Sequence, residues 1–231
     1  MRFVAETGST NADMLALAGL GVAEGIWLRA GRQTGGRGRM GRDWESREGN
    51  LFCSTLVRLR AGDPPPHLLA LVAANAVHAV VAPLCSGQAQ IKWPNDILVD
   101  GAKIAGILLE RVGDAIVIGI GINVTGHPTG LDRPVTSLSA QGSEVGAAAL
   151  LDRLAHIFAH WLGIWRAQGL EPVRAHWLLN AHAAGAPLRV NLPDGEVVDG
   201  RFDTLDAEGM LILRLANGER RAIHAGDVHL L

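Results

Sequence analysis

Polar and apolar residues alternate along some stretches of this chain and recur at helical spacing along others, and the order of the two patterns predicts its elements. Residues 3–5 read as a short first strand, followed by a helix-forming run at 12–18. Thr10 with Asp13 three positions later has the spacing of a capping box, which satisfies the free N–H groups of a first helical turn. Residues 25–30 and 51–59 read as strands, the second alternating Cys53, Thr55 and Val57 against Phe52, Ser54 and Leu56. Three prolines at 64–66 introduce an apolar helix over 67–81, within which Asn75 and His78 read as hydrogen-bonded core polars. Residues 90–93, 97–99, 102–110 and 115–124 then read as strands. Pro94 stops the first because proline cannot donate into a ladder, and Asp100-Gly101 and Gly113-Asp114 mark hairpins, so an antiparallel meander is predicted.

A small, polar loop at 135–142 leads to a long amphipathic helix, 144–168, with Leu150, Leu154, Phe158, Trp161 and Trp165 on its apolar stripe, and to a shorter helix at 171–179. Beyond a linker at 181–185 the period changes to two, in 187–192, 197–205, 210–215 and 219–230. The chain is therefore expected to be α+β. Residues 1–183 would form a mixed, mainly antiparallel sheet with helices packed on one face, and residues 184–231 a small C-terminal β-barrel.

Composition narrows the function classes. With 231 residues, 48% hydrophobic and 19% charged, the chain can bury a large core and is not a disordered one. A net charge of −2 is a poor footprint for nucleic acid, so any anion-binding surface must be local. Cys53 and Cys85 lie far apart without metal-ligand spacing, which fits a reduced, cytoplasmic setting. Glu6 precedes any signal-like run, and the apolar stretch 68–81 is shorter than a bilayer span, so neither export nor membrane insertion is expected.

The local anion site is expected at 33–42, Gln-Thr-Gly-Gly-Arg-Gly-Arg-Met-Gly-Arg. Four glycines let backbone N–H groups approach a ligand, and three guanidinium forks suit carboxylate or phosphate oxygens. Gly36, Gly38 and Gly41 also satisfy the dinucleotide-binding spacing, but the following residues 43–50 show no helical period, which rejects that reading. Of 21 basic residues only Lys92 and Lys103 are lysines, which marks both as sites where a compact ammonium is needed. Gly106, Gly119 and Gly121 weaken their strands, and a flat ligand lying on the sheet would account for them. The alternative is a bulge or close packing at each.

In order and spacing, Gly36-Arg37-Gly38-Arg39-Met40-Gly41-Arg42, Lys92-Trp93-Pro94-Asn95-Asp96, Lys103-Ile104-Ala105-Gly106-Ile107-Leu108 and Gly119-Ile120-Gly121-Ile122-Asn123 resemble biotin protein ligase. So do Ser9-Thr10-Asn11 and the C-terminal β-unit, which in that family is a barrel of the Src-homology-3 type. The resemblance implies that biotin and Mg-ATP form biotinyl-5′-adenylate and pyrophosphate, and that the acyl group then passes to a lysine of a biotin carboxyl carrier protein. It implies that Ser9, Thr10, Asn11 and Gln33 hold the ureido ring and its surroundings, with Gly106, Ile107 and Gly119 as the floor of the biotin site. Arg37, Gly38 and Arg39 would close over the biotin carboxylate and the adenylate phosphate. Lys103 would meet the acyl oxygens and α-phosphate, and Arg42, Lys92, Asn95 and Asn123 the nucleotide. Asp96 would either orient or deprotonate the incoming lysine or cap backbone groups. The Mg²⁺ ligands are left open.

Met40 departs from the pattern, standing where an arginine is often found. The chain also starts at the catalytic portion, so DNA binding is not expected, and a homodimer is left open. The competing readings are a lipoate or octanoyl transferase of the same fold, and a biotin-binding regulator without ligase activity. A nucleic-acid module built on the arginine loop is a third. Lys92-Trp93-Pro94-Asn95-Asp96 together with the arginine–glycine loop argues against the first.

Overall fold

Both alternating stretches of the chain become sheets. In the computed structural model, which describes residues 1–231, β1 (Arg2–Thr7), β2 (Trp27–Gln33), β3 (Leu51–Arg58), β4 (Ala89–Lys92), β5 (Asp96–Val99), β6 (Ala102–Val112) and β7 (Ala115–Ile122) form a seven-stranded sheet. Its order is β1-β2-β3-β7-β6-β5-β4, and only the β1–β2 pair is parallel. The helix α1 (Thr10–Gly19) joins that parallel pair.

Period-two burial sorts the side chains onto two faces. Leu51, Cys53 and Val57 of β3 with Ile116, Ile118, Ile120 and Ile122 of β7 belong to the main core, which includes α2 (Leu69–Val81), α3 (Ala147–Gln168) and α4 (Leu170–Leu179). Leu56, Ala115 and Val117 face the other way and pack with Met14 and Ala18 of α1 in a second, smaller cluster. Three helices thus cover one face, and α1 alone lies across the other. That face also carries Gly106, Gly119 and Gly121.

Prolines and helical turns at both ends lengthen the α2 segment to Pro66–Leu84, 19 residues. It is longer than the alternation of residue types suggests and apolar enough to cross a membrane by composition. It is nonetheless 67% buried inside the protein, and Asn75 donates to the Val173 carbonyl at 2.9 Å.

Strands β8 (Pro187–Asn191), β9 (Val197–Leu205), β10 (Leu211–Arg214), β11 (Arg220–Ile223) and β12 (Asp227–Leu230) make a second sheet, order β11-β10-β9-β8-β12. The single strand expected over 219–230 is broken, because its halves lie at opposite sheet edges. Four strand spacings span about 19 Å in a flat sheet, whereas the four Cα steps from Ile223 to Asp227 reach at most about 15 Å. The sheet must therefore curl. Gly226 lies in the break, where a Cβ would come within 3.0 Å of the Asn191 carbonyl oxygen.

Candidate active site

The α1 face of the large sheet and the edge strand β12 enclose a cavity of about 450 Å³. Its lining includes Ser9, Thr10, Asn11, Gln33, Arg37, Gly38, Arg39, Arg42, Lys92, Asn95, Asp96, Lys103, Gly106, Ile107 and Gly119. Residues separated by up to 110 positions are brought to one space. Asn123 is the exception. It is 4% exposed, does not line the cavity, and donates its amide to the Thr136 carbonyl at 2.9 Å, so it fastens the 124–138 segment instead.

One end of the cavity is a network of neutral dipoles. The expected capping box does not form: Ser9 is the N-cap residue, no side chain caps the helix, and the Asp13 carboxylate accepts the Thr7 hydroxyl at 2.6 Å. Thr10 is thereby free to turn to Gln33, whose Oε1 accepts the Thr10 N–H at 2.8 Å and its hydroxyl at 3.1 Å. Ser54, fully buried on β3, bridges Thr10 Oγ1 at 2.8 Å and Asn11 Oδ1 at 2.6 Å. The Asn11 amide donates to the Glu110 carboxylate at 2.7 Å.

The glycine floor lines the cavity, and side chains of the chain itself also pack against it. A Cβ on Gly121 would meet the Trp44 ring at 2.5 Å and one on Gly106 would meet it at 2.8 Å, while one on Gly119 would overlap the Asn11 amide. Trp44 is held by the loop, through its backbone N–H to the Gly36 carbonyl at 3.0 Å and an antiparallel backbone bridge between Arg37 and Asp43. Met40 adopts φ 57° in a short turn at Arg39–Gly41, is 69% exposed and does not line the cavity.

The opposite end is charged. Asp96 is buried, with Lys103 hydrogen-bonded to Oδ1 and Lys92 3.6 Å from Oδ2. Burial alone would raise the Asp96 carboxyl. Lys103 first and Lys92 next outweigh it and hold the group below the usual carboxylate range. Burial also pulls the Lys103 ammonium below the ordinary lysine value, against the pull of Asp96. Lys92 donates to the Val228 carbonyl at 2.9 Å, Arg42 pairs with Asp227 at 2.8 Å, and Arg39 reaches Asn95 Oδ1 at 3.3 Å and the Gly226 carbonyl at 3.4 Å. The arginine loop is thus tied to the second sheet. Burial lowers the Arg39 guanidinium from its ordinary value, only partly offset by Asp227 and Asp96.

Several lining or supporting residues escape sequence reasoning. Trp44 carries one signal, an indole inside an otherwise polar stretch, and Ser54 another, a hydroxyl alternating among apolar neighbours. Arg133 lines the mouth because Lys103 N–H donates to Pro134 and Thr136 N–H to Lys103, both at 2.9 Å. Asp227 and Val228 have no local signal at all. No three His, Cys, Asp or Glu side chains gather to hold a metal.

A cavity with hydrogen-bonding dipoles at one end and clustered cations at the other suits a molecule with a polar neutral head and an anionic tail. Known proteins share this arrangement of sequence. The model described as the Biotin/lipoate A/B protein ligase family matches residues 22–124, and the Biotin protein ligase C terminal domain matches residues 187–231. A biotin–(acetyl-CoA-carboxylase) ligase of Paracoccus denitrificans is 37% identical, over 97% of this chain and 98% of that protein. The chain belongs to the biotin protein ligase family.

It is accordingly a ligase. The biotin–(acetyl-CoA-carboxylase) ligase of Mycobacterium tuberculosis is also 37% identical, over 97% of this chain and 86% of the relative. The bifunctional ligase/repressor BirA of Bacillus subtilis is 33% identical, over 96% and 71%. The fold matches the solved biotin protein ligase of Aquifex aeolicus in complex with biotin and ATP, with a TM-score of 0.88 and 24% identity over 99% of this chain and 98% of that one. At that identity the likeness concerns the fold.

Proposed function

We propose that this chain performs the family's two-step reaction. A biotin carboxylate oxygen attacks the α-phosphorus of ATP and pyrophosphate leaves. A carrier lysine amine then attacks the acyl carbon and AMP leaves. The carrier is a biotin carboxyl carrier domain of a carboxylase, as the relatives' names suggest. The first step brings two anions together, so positive charge must be in place where it develops. The observation that carries this reading is Lys103, largely shielded from solvent and lining one cavity with Arg37, Arg39, Thr10, Asn11 and Gln33, the Thr10 and Asn11 side chains being joined behind it by Ser54.

In this reading the network receives the ureido ring, with Ser9, Gly106, Ile107 and Gly119 around it. Arg37, Gly38 and Arg39 lie over the carboxylate and α-phosphate. Arg42, Lys92, Asn95 and Arg133 face the nucleotide, although Lys92 and Asn95 already spend hydrogen bonds on Val228 and Ile107. Asp96 orients Lys103: a carboxylate held acidic by two ammonium groups is a weak base. ATP would be taken as its magnesium salt, whose charge would offset that of the phosphates. We take residues 1–183 and 184–231 as two units, and the enzyme as cytoplasmic, consistent with its two free cysteines.

The lipoate reading is disfavoured. A dithiolane offers no N–H or C=O to a buried polar network, which would then be left unpaired. The test is incubation with Mg-ATP and either biotin or lipoate. Pyrophosphate and an acyl-adenylate of the biotin mass, formed with biotin alone, are expected. Adenylate with lipoate alone, or tight biotin binding without pyrophosphate, would overturn the proposal.

A further inference from the structure

Asn11 is 5% exposed, lines the cavity and packs against Gly119. An asparagine side chain has two chemically opposite ends, and which one faces a ligand decides what the ligand must be. Three polar neighbours surround it. Asn11 Nδ2 donates to Glu110 Oε2 at 2.7 Å and approaches the Leu108 carbonyl at 3.5 Å, while Oδ1 accepts the Ser54 hydroxyl at 2.6 Å. Ser54 does not choose, because a hydroxyl donates or accepts with equal ease. Glu110 chooses: an ionised carboxylate only accepts, so the reversed amide would set oxygen against oxygen.

The choice fixes the character of the pocket. Glu110 takes one Asn11 N–H and the other turns toward the Leu108 carbonyl, which leaves one lone pair on Oδ1 beyond the Ser54 contact. Gln33 Oε1 is occupied twice by Thr10, which leaves its NH₂ end as the donor. This end of the cavity therefore presents an oxygen and an amide N–H, the complement of a cyclic urea, which offers N–H donors beside a carbonyl. Glu110 lies on β6 seven residues beyond Lys103 and does not line the cavity. Whatever it does to the ligand it does through Asn11.

We propose that Glu110 is a positioning residue that holds the Asn11 amide with its oxygen toward the ligand, and so makes the pocket select a ureido ring. This rests on the biotin reading above. A charge-assisted hydrogen bond is of the size that a selectivity device needs, about tenfold in affinity or more.

The test compares wild type, Glu110→Ala, Glu110→Gln and Ser54→Ala. It measures biotin affinity by calorimetry without nucleotide, KM for biotin and for Mg-ATP by pyrophosphate release, and the thermal midpoint. Glu110→Ala is expected to weaken biotin about tenfold in both assays, and desthiobiotin, which keeps the ureido ring, by the same factor. The KM for Mg-ATP and the thermal midpoint stay near wild type. Glu110→Gln keeps an acceptor oxygen and is expected to restore biotin affinity to within about threefold. Ser54→Ala weakens biotin less than Glu110→Ala, since it does not set the amide's direction.

Three results would overturn the proposal: unchanged biotin affinity in Glu110→Ala, a glutamine variant as impaired as alanine, or parallel losses for biotin and Mg-ATP with a lowered midpoint. Absence of biotin-dependent pyrophosphate in wild type would instead remove the functional reading, which separates the two failures.

Discussion

At its neutral end the cavity is built from residues on α1, β2 and β3 that hydrogen-bond to each other; at its charged end it is built from charges on a loop, on strands β4, β5 and β6, and on the edge of a second sheet. Thr10, Asn11, Gln33 and Ser54 are linked to one another by neutral hydrogen bonds. Arg39, Arg42, Lys92 and Lys103 instead hold protein partners: Asn95, Asp227, Val228 and Asp96. The lesson is a division of labour set by energetics. A neutral head is read by rigid hydrogen bonds, since a misplaced dipole costs about 1–3 kcal/mol. A charged tail is met by ion pairs that exchange partners, since an unpaired buried charge costs more.

The largest expected effect strikes the charged end. Lys103→Arg keeps the charge, but a planar fork cannot replace a point donor wedged between Asp96 and Trp44, whose ring lies 5.4 Å from Nζ. Turnover should fall by about 100-fold with biotin affinity nearly unchanged. Turnover near wild type in a pyrophosphate assay would erase the distinction between the two ends.

Next, Arg39→Gly removes the contacts to Asn95 and Gly226 that tie the loop to its surroundings. Release of biotinyl-adenylate should quicken by about tenfold, equivalent to one charged hydrogen bond. Stray labelling of other proteins' lysines should follow. Stopped-flow release as slow as wild type would show that the loop does not retain the intermediate.

The smallest effect on chemistry comes from behind the charged end. His182 is 7% exposed, its Nε2 has no partner, and burial first, with Lys92 second, lowers its pKa to about 4. The folded value lies below the unfolded one near 6.5, so the unfolded chain binds the extra proton. Stability from this group is complete above about pH 6.5 and is lost as pH falls toward 4, by about 3 kcal/mol. His182→Gln should flatten that slope in denaturant unfolding between pH 7 and 4.5 while leaving turnover at pH 7 unchanged. An equal slope in both proteins would assign the acid sensitivity elsewhere.

What was legible in the sequence follows from local physics. Alternation located β3, β7 and β9 almost to the residue, and Asp100-Gly101 marked a hairpin whose two residues do adopt φ 48° and 79°. The scarcity of lysine pointed to Lys92 and Lys103, and both line the cavity. Other features left no such trace. The capping spacing at Thr10 was misleading because Gln33, 23 residues away, competes for the hydroxyl. The break at 224–226 was hidden because both halves alternate normally. Asn123 sits in a motif rich in site residues, yet its own side chain turns to Thr136.

The sequence by itself determined which segments alternate, where turns fall and which side chains carry charge, because those depend on neighbours a few positions apart. Only the tertiary structure decided that Trp44 covers the glycines, that Asp227 meets Arg42 from 185 positions away, and that Glu110 dictates how Asn11 faces the cavity. Each of these is a contact whose energy appears only after the sheets have packed. A chain read in order holds the donors and acceptors, but their pairing is fixed by the distances that folding sets.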